Sequence, residues 1–82
     1  MRARATLADP ESIVLGRGIR RLRQARHLTI RAVARNAGMS AGHLGVIERG
    51  HGNPRLGTLF RLADGLGVSC EELVRAAEVE GA

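Results

Sequence analysis

The sequence of 82 residues contains no lysine, tryptophan or tyrosine, and its aromatic content is the single Phe60. A Walker A phosphate-binding loop requires a lysine, so this class of nucleotide site is excluded. Because the chain is nevertheless 44% hydrophobic, we expect a packed core of aliphatic side chains. The single Cys70 excludes an internal disulfide framework and a zinc site built from several cysteines, which fits a reducing compartment.

Long apolar runs are also missing. The longest stretch without a formal charge, residues 36–47, is too short and too polar to cross a bilayer, which takes about 20 apolar residues. Asp9 and Glu11 fall where a secretory signal would need apolar residues. We therefore expect a cytoplasmic protein with no membrane partner. At this length only about 60% of the unfolded surface can be buried, so a single domain is expected.

The positive charge is concentrated in one part of the chain. All thirteen basic residues are arginines, and the net charge is +5. Residues 12–47 carry seven arginines and no acidic residue, whereas residues 48–82 carry four arginines and six acidic residues. A solvated surface normally interleaves both signs, so the acid-free segment is a candidate receptor for a polyanion, and the planar arginine fork matches phosphate.

Helix start signals recur along the sequence. Asp9, Pro10 and Glu11 supply an N-cap, a proline at the first helical position and a first-turn acid, and the apolar stripe that follows runs to about His27. Three later starts place an apolar residue before a hydroxyl N-cap and another apolar residue four positions after that cap. They are Leu28-Thr29-Val33, Met39-Ser40-Leu44 and Val68-Ser69-Leu73, the last with Glu72 completing a capping box.

Stop signals agree with these starts. Gly38, Gly50 and Gly67 each follow an apolar run, where a left-handed residue ends a helix, and His27 is predicted to take the same capping conformation. The signals predict helices near residues 29–37, 40–49 and 69–78, and another that opens at Asn53-Pro54. The apolar residues at helical spacing in this additional helix are Leu56, Leu59, Phe60, Leu62, Ala63 and Leu66.

No segment alternates as a strand does, so the predicted fold is all-α with five short helices. The expected organisation is a flexible arm over residues 1–8, a helical domain over residues 9–78 and a frayed C-terminus over residues 79–82.

The second and third predicted helices are joined by Ala37-Gly38-Met39, a tight connection typical of a helix-turn-helix. The inner faces are predicted to be Val33, Ala34 and Ala37 on one helix, and Leu44 and Ile47 on the other. The outward positions of the third helix are then Ala41, Gly42, Gly45, Val46 and Arg49. A protruding helix within a basic segment suits the DNA major groove. Helix-turn-helix geometry also occurs in domains that bind only proteins, and the charge favours DNA.

These features resemble the phage-repressor and Cro type of helix-turn-helix, the xenobiotic-response-element family. The residues that carry the resemblance are Leu15-Gly16, Ile19, Leu22-Arg23, Leu28-Thr29, Val33-Ala34, Ala37-Gly38-Met39-Ser40, Leu44, Ile47-Glu48-Arg49-Gly50, Asn53-Pro54, Leu59, Leu62-Ala63 and Leu66-Gly67-Val68. The resemblance implies a five-helix repressor-like domain that binds double-stranded DNA and regulates transcription, with the helix-turn-helix formed by the second and third helices.

The resemblance also implies roles for individual residues. It implies a structural ion pair between Arg23 and Glu48. The base-facing positions are Ser40, Ala41, Gly42, His43 and Val46. The phosphate-contacting positions are Thr29, Ile30, Arg49, His51, Asn53 and Arg55.

Two departures from the family bear on specificity. Ile30 stands where a glutamine is usual, and it cannot hydrogen-bond to a phosphate through its side chain. Ala41, Gly42 and Val46 stand where polar base-reading residues are common. Methyl groups can pack on thymine methyls, but they lack the bidentate contacts that supply about 1–3 kcal/mol of discrimination per base pair. We therefore expect weak direct readout, with Ser40, His43 and Arg49 as the side chains of this helix able to bond to base edges.

Two functions from different classes follow. The first is a transcriptional regulator that binds DNA as a homodimer, with Val74, Ala77 and Val79 of the fifth helix available for the subunit contact. The alternative is a protein-interaction module, such as an antitoxin or an accessory subunit, that docks a protein partner through the apolar face of the third helix.

Catalysis and metal binding find no support in the sequence. His43, His51 and Cys70 lack the paired spacing of metal ligands, and no set of nucleophile, base and acid is indicated. Cys70 is predicted at the first position of the last helix, where the helix dipole favours a thiolate, although a lone cysteine in such a place is more often a small filler. We expect no enzyme activity and no cofactor.

Overall fold

A computed structural model describes residues 9–82 of the chain, and the arm predicted over residues 1–8 lies outside the described residues. Within residues 9–82 the secondary structure consists of five α-helices without strands, as the sequence predicts. The helices are α1 (Pro10–Ala25), α2 (Ile30–Ala37), α3 (Ala41–Glu48), α4 (Leu56–Leu66) and α5 (Cys70–Gly81). None of these five helices has the length and apolar character needed to span a membrane.

Four of the five helix starts are capped by the side chains that the sequence indicates. Asp9, Thr29, Ser40 and Ser69 each accept a hydrogen bond of 2.8–3.0 Å from the backbone N–H three residues later. Glu72 completes the predicted capping box at α5. Each such cap satisfies one of the helix N–H groups that have no partner within the helix.

The first four helices end in the same way. His27, Gly38, Gly50 and Gly67 have φ angles of 56°, 70°, 92° and 76°. The residue after each of them donates its backbone N–H to the carbonyl five residues earlier, at 2.9–3.1 Å. This is the Schellman arrangement, in which a left-handed residue turns the chain away from the helix. The stop predictions, including the one at His27, are confirmed.

An aliphatic core holds the helices together. Its largest fully buried side chains are Ile19, Val33, Leu44, Ile47, Leu62, Leu66 and Leu73. Helix α1 packs chiefly against α5 and α3, and α2 packs against α4 and α3. Gly65 allows α2 and α4 to approach closely, because a Cβ at this position would lie 2.7 Å from the carbonyl oxygen of Val33. The core thus fixes α3 with Leu44 and Ile47 inward.

Helix α4 begins later than predicted. Asn53-Pro54 was expected to open it, but Asn53 has a φ of +36° and Arg55 is the extended N-cap. Neither backbone has helical angles, so the first helical residue is Leu56. The segment from Gly50 to Arg55 is therefore a loop between α3 and α4.

The apolar side chains of α4 are also less buried than their spacing suggests. Leu62, Ala63 and Leu66 belong to the core, whereas Leu56 is 64% exposed and Phe60 is 53% exposed. At 100° per residue, Phe60 falls to one side of the face that Leu62 and Leu66 turn inward. The only aromatic side chain of the protein is therefore a surface residue.

Helix α5 is longer than predicted, because it continues to Gly81 where residues 79–82 were expected to be frayed. Arg21 of α1 holds this end of α5, since its Nε donates to Glu80 at 2.8 Å and its Nη2 donates to the carbonyl of Ala76 at 3.3 Å. Ala77 is buried against Gly18, so it is not available for a subunit contact. The prediction for Ala77 is wrong, because α5 packs along α1 through this residue.

Candidate nucleic-acid interface

The outer face of α3 is defined by its burial pattern. Leu44 and Ile47 are buried beneath the helix. At 3.6 residues per turn, Gly42, Val46 and Arg49 lie on the opposite side. Gly42 and Arg49 are exposed, and Val46 is half-buried. Of the five positions predicted to face outward, these three therefore form the outer face of α3.

The other predicted base-facing residues flank this surface. His43 is exposed, and Ala41 is half-buried against the core. The Ser40 hydroxyl oxygen accepts from the N–H of His43 at 3.0 Å, so Ser40 serves first as the N-cap of α3. Its hydroxyl proton can still be donated to an acceptor.

Gly45 differs from its predicted exposure. It is buried, and the cover is the side chain of Arg49. A Cβ at Gly45 would lie 3.2 Å from Nη1 of Arg49 and 4.0 Å from its Cζ, with no other packed atom within 4 Å. Side chains on a helix lean towards its N-terminus, so the guanidinium of Arg49 folds back one turn over α3.

The predicted phosphate-contacting residues occupy two places beside α3. Thr29 and Ile30 stand at the start of α2, where Oγ1 of Thr29 accepts from the N–H of Ala32 at 3.0 Å and the Ile30 side chain packs against the core. His51, Asn53 and Arg55 are exposed in the loop between α3 and α4. Because the Thr29 oxygen caps the helix and Ile30 is apolar, an anion at the start of α2 would be bound by the backbone N–H groups of the helix N-terminus.

The N-terminus of α4 adds a feature that the sequence did not reveal. Arg55, Gly57, Thr58 and Arg61 line an open cavity of about 340 Å³. Arg55 is an N-cap without a side-chain hydrogen bond, so the first N–H groups of α4 lack a capping partner. An arginine at an N-cap position, where Ser, Thr, Asp or Asn is usual, indicates a helix start without a side-chain cap. The sequence-based prediction missed this indication because it placed the start of α4 at Asn53-Pro54 and not at Leu56.

Arg23 and Glu48 form an ion pair beneath the C-terminal end of α3. Arg23 donates from Nε and Nη2 to the two carboxylate oxygens of Glu48, at 2.7 and 3.1 Å, and from Nη1 to the carbonyl of Leu28 at 3.0 Å. The side chains are only 14% and 5% exposed. The pair ties α1 to the end of α3, which is the structural role that the resemblance implies.

Most of the described arginines have no carboxylate partner. Within residues 9–82, ion pairs are formed by Arg21 with Glu80, Arg23 with Glu48 and Arg75 with Glu71. The remaining arginines of this range are all exposed: Arg17, Arg20, Arg26, Arg31, Arg35, Arg49, Arg55 and Arg61. This part of the protein therefore presents a cationic surface that its own acids do not neutralise.

The same part of the chain offers little for metal binding. Within residues 9–82 no three His, Cys, Asp or Glu side chains are grouped as metal ligands. Cys70 is the first residue of α5, as predicted, and it is half-buried.

Comparison with known sequences gives a consistent picture. The model of the helix-turn-helix family matches residues 19–73. An uncharacterized HTH-type transcriptional regulator, y4dJ of Sinorhizobium fredii, is 43% identical over 61 residues, which are 74% of this chain and 79% of that protein. The HTH-type transcriptional regulator DdrOP3 of Deinococcus deserti is 38% identical over 63 residues, 77% of this chain but only 49% of that protein. Both relatives are named as regulators and neither as an enzyme.

Solved structures with the same fold are also named as regulators. The restriction-modification controller protein C.AhdI from Aeromonas hydrophila superposes with a TM-score of 0.76 at 29% identity, covering 79% of this chain and 98% of that one. The clp gene regulator ClgR from Corynebacterium glutamicum superposes with a TM-score of 0.82 at 26% identity, covering 88% of this chain and 94% of that one.

Proposed function

The chain belongs to the helix-turn-helix family, and from this membership we propose that it regulates transcription by binding double-stranded DNA as a two-fold dimer. Helix α3 of each subunit enters a major groove, and the two grooves lie about 34 Å apart along the duplex.

The observation that carries this proposal is the set of exposed arginines without carboxylate partners, eight within residues 9–82, on a domain whose α3 has an exposed outer face. Each arginine that reaches a phosphate displaces a condensed counterion, and this release of ions drives much of the binding to duplex DNA. Arginines neutralised within the protein would contribute little to such binding. The charge excess is therefore available to the nucleic acid.

Phosphate contacts are assigned on both sides of the groove that α3 enters. On one side, Thr29 and Ile30 present the N-terminus of α2, whose N–H groups favour an anion. On the other side, His51, Asn53 and Arg55 present side chains from the loop after α3, and Arg61 extends this cluster along α4. Contacts of this kind position the protein on the duplex and carry no sequence information.

Base contacts along most of α3 are proposed to be apolar. Ala41, Gly42 and Val46 offer methyl groups or bare backbone to the groove, which suits thymine methyls. His43 and Ser40 flank this surface with side chains that can donate hydrogen bonds. We therefore propose a binding site of limited sequence specificity, in which backbone contacts supply most of the affinity.

The dimer contact is assigned to α5. Val74 is 44% exposed and Val79 is 57% exposed, and both are on the helix that the sequence indicated. A second copy of the chain that packs beside α5 would cover Val74 and present two α3 helices to one face of the duplex. Replacing Val74 by Asp is expected to lower the sedimentation-equilibrium mass towards that of the monomer while the protein stays folded.

The alternative function, protein docking through α3, has less support. Among residues 9–82 the exposed large hydrophobic side chains are Leu56, Phe60, Val74 and Val79, none of which lies on α3. If this chain docks a protein partner, that contact therefore belongs on α4 or α5. Binding through apolar contacts would be nearly indifferent to salt, which separates it from DNA binding.

The proposal is tested by selecting binding sites from a random-sequence duplex DNA pool at low and at moderate salt, and by then measuring affinity against salt. We expect an enriched motif and a steep loss of affinity with salt. No binding to duplex DNA at low salt would reject the proposal. Replacing Arg55 by Ala is expected to weaken binding to all sequences and to reduce the slope of log K against log salt by about one.

Arg75→Ala provides the control for Arg55→Ala, because it removes the same charge from another exposed arginine. Arg75 lies on α5, where its Nη2 pairs with Glu71 at 3.1 Å, so it is not one of the free arginines. We expect its salt slope to equal that of the parent protein. Equal slopes for the two variants would remove Arg55 from the phosphate contacts.

A further inference from the structure

We propose that Arg49 reads a guanine in the major groove, its guanidinium held over the part of α3 that Gly45 leaves bare. The inference rests on the proposed DNA binding and adds to it a specificity-determining residue. The resemblance placed Arg49 among the phosphate contacts, and the geometry of α3 assigns it to the bases.

The first step is the position of the guanidinium. A side chain that begins at the C-cap of a helix could extend away from it towards the backbone of a neighbouring strand. Nη1 of Arg49 instead lies 3.2 Å from where the Cβ of a residue at position 45 would be. Gly45 is buried, and the side chain of Arg49 lies across it. The charged group is therefore drawn back from the end of α3 onto its outer face.

The guanidinium donors of Arg49 are not used by the described protein. Arg49 is exposed, and within residues 9–82 it makes no ion pair and no side-chain hydrogen bond with the protein. The neighbouring carboxylate of Glu48 is engaged by Arg23 at 2.7 and 3.1 Å. The five N–H donors of the Arg49 fork therefore face solvent in the free protein.

The third step is what surrounds the fork. Gly42 and Val46 share this face of α3, and neither carries a polar side-chain atom. Nothing in the described protein lies within 4 Å of a Cβ built at Gly42, so the backbone there can approach another molecule closely. On the face that enters the groove, Arg49 is thus the central hydrogen-bonding side chain. Its partner of matching geometry is a guanine, whose O6 and N7 accept both arms of the fork.

The test uses the motif recovered from the random-sequence duplex pool. We expect a G·C pair in each half-site at which the parent protein discriminates about 5- to 150-fold against other pairs, and we expect Arg49→Ala to lose this preference. Arg49→Lys keeps the charge but not the fork, so it should lose the preference and keep the salt slope. Replacing that guanine by 7-deazaguanine should weaken the parent protein and leave Arg49→Ala unaffected.

Two glycine variants test the position of the fork without removing it. Gly45→Ala places a methyl group against Nη1 and should lower the discrimination at that base pair. Gly81→Ala adds the same methyl group at the C-terminal end of α5, where the nearest packed atom is Cγ1 of Val14 at 3.4 Å, and should leave that discrimination unchanged. Thermal unfolding of each variant verifies that it is folded.

The outcomes separate this inference from the proposed function. If Arg49→Ala weakens all sequences equally, flattens the salt slope by about one and leaves the motif unchanged, Arg49 is a phosphate contact and the inference is overturned while DNA binding stands. If no variant, the parent included, binds duplex DNA, the proposed function fails, and the reading of a guanine fails with it.

Discussion

Replacing Arg23 by alanine tests how far the fold depends on the ion pair beneath α3. The change would leave the Glu48 carboxylate, whose side chain is 5% exposed, without its two hydrogen bonds, and the Leu28 carbonyl without its donor. Removing one partner of a buried pair costs about 3–5 kcal/mol, because the remaining charge is left unpaired in a region of low dielectric constant. Since Arg23 is itself 14% exposed, water can partly replace it, and we expect the lower end, about 3 kcal/mol.

That loss is large relative to the whole domain. A protein of this length has a free energy of unfolding of roughly 4–12 kcal/mol, at about 0.05–0.15 kcal/mol per residue. For a domain of 60–100 residues each kcal/mol shifts the melting temperature by about 4–8 °C. Arg23→Ala should therefore lower the melting temperature by roughly 12–24 °C, measured by circular dichroism at one fixed protein concentration.

Arg75→Ala is the matched control. It also removes an arginine from a helical ion pair, but the side chains of Arg75 and Glu71 are 68% and 78% exposed. Exposed pairs four residues apart contribute about 0.3–0.5 kcal/mol, so the shift should stay below about 4 °C. Equal shifts for Arg23→Ala and Arg75→Ala would refute the reasoning. The double variant Arg23→Met with Glu48→Leu should be more stable than Arg23→Ala, because it leaves no charge unpaired.

Two further comparisons within α4 concern stability, each measured by urea unfolding. Gly65→Ala should lower the free energy of unfolding by about 1–3 kcal/mol, because its Cβ would lie 2.7 Å from the carbonyl of Val33. Gly57→Ala, with nothing within 4 Å of its Cβ, should raise the free energy of unfolding by up to about 1 kcal/mol. The opposite order would contradict the packing of α2 on α4. Leu62→Ala, at a fully buried position, should lower the free energy of unfolding by about 2–5 kcal/mol. Phe60→Ser, at an exposed position, should change it by less than about 1 kcal/mol. A large loss of stability in Phe60→Ser would show that Phe60 is covered.

Helix caps were the part of the fold that the sequence predicted best, because they are local. An N-cap side chain accepts from the N–H three residues later, and a glycine in the left-handed conformation ends a helix, so both signals act within a single turn. The N-caps predicted at Asp9, Thr29, Ser40 and Ser69 and the glycine stops predicted at Gly38, Gly50 and Gly67 are all confirmed. The errors are tertiary. The end of α5 beyond residue 78 is contacted by Arg21, 59 residues before Glu80 in the sequence, and no pattern within α5 reports that contact.

The outer face of α3 was predicted only in part for the same reason. Helical spacing located Gly42, Val46 and Arg49 correctly, since the buried Leu44 and Ile47 fix the opposite side. It also counted Gly45 as open, because spacing describes where a backbone position lies and not which side chain lies across it. The direction of a long side chain is decided by its neighbours, and at position 45 the absence of a side chain is what leaves room for Arg49.

Composition likewise could not separate arginines that hold the fold together from those left free for a partner. Arg21 and Arg75 form their ion pairs with α5, and Arg23 forms its pair beneath α3. These pairs neutralise Glu71, Glu80 and Glu48, so part of the acidic charge of the C-terminal half is balanced by arginines of the same chain. Among residues 9–82, the arginines without a carboxylate partner lie on α1, α2 and α4, directly after α1, at the end of α3 and in the loop before α4. A surface with this imbalance attracts a polyanion from beyond contact range, so the association rate with duplex DNA should fall steeply as salt shortens the Debye length below about 10 Å. An association rate insensitive to salt would mean that the free arginines do not act together.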